Sequence, residues 1–299
     1  IGSFSATQLG ALSTAQTQGL TTTQLNALSS DNLTALTASK LSTVQLTGLT
    51  TTAVGLLSDT QVGALTGTQV ASLSGAQIGS LSSTAVQAFT TTQANALTAT
   101  QLKNLTTTAI GSFSSTQLAA LTTAQTQGLT TTQLNALGAS EFNALDANEL
   151  STAQLTGLTT TSVDALSDTQ VGALTGTQVA SLSAAQLGSL SSTEVQAFTT
   201  TQANALTSTQ LGSLTTTAIG SFSTTQLGAL SSTQVSGLTT TQLNALSTGS
   251  LDALDVTKLT TAQVGGLSTT AITNLTDTQV GALAATQVAK LTATQFGAL

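Results

Sequence analysis

The chain has no proline, cysteine, methionine, histidine, tryptophan, tyrosine or arginine, and charged residues make up only 5% of its 299 positions. Without cysteine there is no disulfide framework and no thiolate metal site, a composition that fits an exported chain. Without histidine as well, the familiar Ser–His–acid arrangement has no base and zinc loses its preferred ligands. Four lysines cannot neutralise a row of phosphates, so a nucleic-acid partner is not expected. No apolar run approaches the roughly 20 residues of a bilayer span, and no basic amphipathic face suits a membrane surface. The glycine-rich loops of nucleotide sites and the calcium nonapeptide of β-roll proteins are missing too. Asp252 and Asp255 are the closest candidates for an acid–base carboxylate pair, and surface exposure and helix capping account for both. The reading is of a protein that is not an enzyme, with no cofactor, no metal and no small-molecule substrate.

What remains is chiefly threonine, leucine, serine, alanine, glutamine and glycine, with 39% hydrophobic residues and a mean hydropathy of +0.29, too apolar for a disordered tract. Its order is periodic. Thr21–Leu28 reads TTTQLNAL, Ser58–Leu65 reads SDTQVGAL and Thr66–Leu73 reads TGTQVASL, an eight-residue unit from a leading Thr or Ser to a closing Leu or Phe. The segments IGSF at Ile1, Ile110 and Ile219 mark a second period of 109 residues, which holds thirteen octads and one five-residue unit. The short units are Thr37–Leu41, Asp146–Leu150 and Asp255–Leu259. Residues 1–299 therefore read as one continuous array, with long repeats 1–109, 110–218 and an incomplete 219–299. Ile1 to Phe4 read as the tail of a unit, so a window of a longer array is expected.

Thr and Val favour strands, but the large apolar positions, five and eight, have opposite parity and sit at helical spacing. Position one is Thr or Ser and position four is usually Gln, the capping box in which two side chains satisfy each other's unpaired backbone N–H groups. The preceding closing residue and position five then form a hydrophobic staple. Nine of the eleven acids lie at positions one to four of a unit, near the positive end of the helix macrodipole. The sequence thus predicts an all-α repeat solenoid of very short capped helices, about six residues each, one per octad, with a 109-residue higher-order repeat. Burying two large side chains cannot by itself order eight residues, so neighbouring units must stack. The small residue at position seven would admit a close neighbour, while position six lies on the far side of the wheel.

The octads TTTQLNAL, SDTQVGAL and TTAQVGGL resemble the long Thr/Ala/Gln/Leu arrays of large bacterial surface proteins, some labelled for haem utilisation or adhesion. That resemblance implies an extracellular or cell-surface location. Haem itself lacks an axial ligand here, since His, Met, Cys and Tyr are absent. The leading expectation is a structural protein that self-assembles, with copies of itself as partner, into an extracellular filament, tube or sheath by coil-on-coil packing. The alternatives are the spacer stalk of a giant adhesin and a Thr-rich module that binds ice or polysaccharide. If a whole number of superhelical turns takes 109 residues, the equivalent positions Lys40, Glu149 and Lys258, with signs plus, minus, plus, become candidate register pairs. Phe4, Phe113 and Phe222, like Phe89 and Phe198, are expected to plug the core.

Overall fold

The computed structural model describes Ile1 and residues 3–299; Gly2, within the first IGSF segment, lies outside the described residues. Among the described residues are thirty-five α-helices of four to six residues, three 3₁₀ turns and no strand. The chain divides into two compact units, Ile1–Leu150 and Ser151–Leu299. The first holds seventeen α-helices and two 3₁₀ turns, the second eighteen and one.

One octad shows how the local structure arises. In Ser74–Leu81 the Ser74 hydroxyl accepts from the Gln77 N–H at 3.2 Å, and Gln77 Oε1 accepts from the Ser74 N–H at 2.7 Å. The Ile78 N–H then donates to the Ser74 carbonyl at 2.9 Å, and the Leu81 N–H to the Ile78 carbonyl at 3.2 Å. That second bond has 3₁₀ geometry, so each helix tightens as it ends. The turn to the next helix needs only two extended residues, as at Leu73 (φ −65°, ψ 143°) and Ser74 (φ −69°, ψ 159°). No described residue has a positive φ, so glycine is used here for space rather than for a left-handed cap.

Helices pack on partners three elements away along the chain: in the first unit Gly67–Ser72 meets Thr91–Ala96, and in the second Gly176–Ser181 meets Thr200–Ala205. Three elements therefore make one coil, 24 residues when all are octads, and each unit is a helical repeat solenoid. Positions five and eight form the core of the inner coils, whereas in the last octad Phe296 and Leu299 are exposed. Val62, Val70, Ile78 and Leu102 are fully buried at position five, and Leu65, Leu73 and Leu105 close the core at position eight. Phe89, Phe113, Phe198 and Phe222 are buried as expected, whereas Phe4 is 42% exposed in the first coil.

The five-residue units each take one whole side of a coil as a 3₁₀ turn, at Ala38–Lys40, Ala147–Glu149 and Val256–Lys258. Asp146 and Asp255 cap their turns by accepting from the Asn148 and Thr257 N–H groups, as read from the sequence; Thr37 makes no such bond. A coil containing one is three residues shorter than the others, yet keeps three sides.

Candidate functional site

The repeated feature of most chemical consequence is the side chain at position four. Its glutamine carbonyl is committed to the capping box, and its amide reaches the preceding coil. Gln77 Nε2 donates to the Leu46 and Leu49 carbonyls, both at 2.8 Å; in the second unit Gln186 Nε2 donates to Leu155 at 2.7 Å and Leu158 at 2.9 Å. The closing carbonyls of Leu49 and Leu158 have no partner within their helix, while those of Leu46 and Leu155 accept the tightening bond from the Leu49 and Leu158 N–H groups. One side chain thus caps two helices, the start of its own and the end of another. Gln77, Gln93, Gln186 and Gln202 are all buried, and no buried side-chain polar atom of the described residues lacks a partner.

The spacing of this ladder records the short units. Gln77 reaches back 28 residues to its closing leucine, but Gln45 and Gln61 reach back only 25, to Leu20 and Leu36, because a five-residue side lies between. Beyond it, Gln69 reaches Leu41 at 28 again.

Lys40, Glu149 and Lys258 occupy position four of the short units. Lys40 Nζ donates to the Leu12 carbonyl at 2.6 Å and Lys258 Nζ to Leu230 at 2.8 Å, each 28 residues back, so the ammonium replaces the amide. Glu149 cannot donate; its carboxylate accepts from Thr123 Oγ1 at 2.8 Å and Thr126 Oγ1 at 3.2 Å. Within the first unit Lys40 and Glu149 are not brought together. They stand fourteen elements apart in a coil of three, so positions matched by the long period fall on different sides. The one ion pair among the described residues is local, Lys258 Nζ to Asp255 Oδ2 at 4.0 Å. Asp255 also accepts from the Thr257 hydroxyl at 2.6 Å, and that bond chiefly, helped by the Thr257 N–H and the Lys258 charge, holds its carboxyl below the usual range against the opposing effect of burial.

Five octads carry Ala at position four, and in two of them a neighbour supplies what is missing. Asn26 Oδ1 accepts from the Thr50 N–H at 2.9 Å, the group that Gln would serve if Ala53 were Gln, while Asn26 Nδ2 donates to the Gly48 carbonyl. Asn244 does the same for Ser268 and Gly266, beside Ala271. Position seven is small for the reason inferred: a Cβ on Gly128 would lie 2.6 Å from Ala99 Cα in the preceding coil. Position six is also a contact position, contrary to its expected place on the far side, since a Cβ on Gly79 would lie 2.6 Å from the Asn104 carbonyl of the following coil.

Among the described residues no group of acids could hold a metal ion, and no helix is long and apolar enough to cross a membrane. A shallow groove of about 510 Å³ in the second unit is lined by Asn204, Ser208, Ser231, Thr233 and Gln234 with three apolar or hydroxyl neighbours, none of them titratable.

Five stretches, residues 1–38, 99–131, 179–216, 208–240 and 219–248, match the family described as the ALTTAQ repeat. No curated protein matches the chain. Among solved structures it is similar to the leucine-rich repeat-containing protein LegL7 from Legionella pneumophila, at 16% identity over 78% of this chain and 77% of that one; the TM-score of 0.17 is too low to carry an argument. The fold and the repeat matches define a helical tandem-repeat scaffold.

Proposed function

We propose that this chain is a non-catalytic structural protein whose coils extend from copy to copy into a filament, tube or sheath outside the cell. The observation that carries the reading is the glutamine ladder. It joins coil to coil through backbone carbonyls, which every octad presents whatever its side chains. A surface that repeats along the chain suits a repeated, non-closing contact between copies. The scarcity of charge lets such surfaces approach without much desolvation cost. Placement outside the cell rests on the absence of cysteine and on the resemblance to surface-protein arrays.

Cryo-electron microscopy of purified native material tests this. Ordered fibres with an axial repeat of one coil are the expected result. Particles that stay monomeric at every concentration would instead favour a spacer role.

A further inference from the structure

Two charged side chains take no part in the contacts described so far. Lys103 and Asp164 are exposed, and neither makes a hydrogen bond or ion pair with the described residues. Lys40 and Lys258, by contrast, serve backbone carbonyls. Asp164 is also badly placed for its own helix, since it ends Thr160–Asp164, where the macrodipole disfavours an acid. Both residues stand at position six of an octad.

Those octads belong to matching faces. In the first unit Thr51–Gly55, Gly75–Gly79 and Ala99–Asn104 stack in successive coils and carry Gly55, Gly79 and Lys103 at position six. In the second unit the helices 109 residues on, Thr160–Asp164, Ala184–Ser189 and Ser208–Ser213, stack likewise and carry Asp164, Gly188 and Gly212. The base thus ends one row and the acid begins the other. Glycine fills the four remaining places, two of them kept small by the next coil: a Cβ on Gly79 would meet the Asn104 carbonyl, and one on Gly212 the Gly237 carbonyl, each at 2.6 Å. Lys103 lines a groove of about 300 Å³ with Thr100 and Gln127, which leaves room for a carboxylate. The first face also leaves Leu56, beside Gly55, exposed.

We propose that the first-unit face of one copy docks side by side on the second-unit face of another, with the two stacks of coils running in opposite directions. That alignment sets Lys103 against Asp164 of the neighbouring copy and glycine against glycine. The parallel alignment would face each charge with a glycine. One exposed ion pair is weak, so the contact gains strength in fibres, where it recurs with every copy. The inference rests on the assembly of copies proposed above, but it concerns the sides of the solenoid, whereas the fibre contact runs through its ends.

The test scores side-by-side pairing in electron micrographs of the full chain. Single rods and fibres can both show such pairing, so a lack of fibres counts against the end-to-end reading alone. Wild type should pair. Lys103→Asp and Asp164→Lys should each pair about tenfold less, because like charges then meet. An equimolar mixture of these two variants should pair as wild type does, since each supplies the charge the other lacks. Asp252→Lys makes the same charge change at position six of another octad, and it should pair normally. Absence of pairing in wild type, undiminished pairing in either variant, or a mixture that pairs no better than its components overturns the proposal.

Discussion

At position four, glutamine and glutamate do the same work for their own helix, since either carbonyl or carboxylate oxygen accepts from the N-cap N–H. The macrodipole would favour the acid. Glutamine nevertheless fills 25 of the 35 octads and glutamate only two, and the structure gives the reason: the amide must also donate to the coil before it. The capping box was legible in the sequence because it joins residues three apart. The second bond was not, because its acceptors lie 28 and 31 residues back and are backbone atoms with no residue signature. The imbalance between Gln and Glu was the available signal. Gln77→Glu should therefore keep its helix start yet destabilise the chain by about 1–3 kcal/mol in urea unfolding, whereas Gln8→Glu should cost little, since Gln8 makes only its capping bonds. Asp255 provides a pH test. Its carboxyl is held low in the folded state, so its contribution is present above the ordinary carboxylate range and is lost as the pH falls through the folded value. Carbon NMR titration should find Asp255 protonating below a peptide aspartate, and Thr257→Val should move it back up.

Among elements, the five-residue unit behaves as a full side of the coil despite its length, which a phase count of residues could not reveal. Counting residues makes it a five-residue offset; counting sides makes it no offset at all. Two predictions separate these views. Deleting Thr37–Leu41 removes a side, so Asn26 should no longer meet Thr50 and Gly48, the pair it now bridges. Asn26→Ala, costly in the parent by about 1 kcal/mol, should then cost almost nothing in the deletion background, as read from urea midpoints of the four chains. Close packing between elements is equally local. Gly128→Ala should cost about 1–3 kcal/mol, because the added carbon meets Ala99 backbone that cannot move aside.

For the molecule as a whole, the solenoid class and its helical units were readable from the spacing of positions five and eight and from the acids near each helix start. The number of octads per coil was not. A period of eight is compatible with any number of sides, and the 109-residue period suggested superposition where the three-sided coil produces rotation. The stacked register of Lys40 and Glu149 fails on that arithmetic alone. The small residues at position seven foretold a close neighbour, while the contact at position six escaped notice because its variability resembles that of a solvated face.

The glutamine and lysine rungs described above all run the same way, with the later coil donating and the earlier coil accepting. A stack built so has an arrow. Within the ladder one face offers carbonyls and the other offers glutamine amides, so two like faces cannot form its bonds, although Asn26 and Asn244 donate the opposite way at single places. Copies joined through this contact must line up head to tail, so the contact cannot close a two-fold dimer, and any fibre it builds has chemically distinct ends that add subunits at different rates.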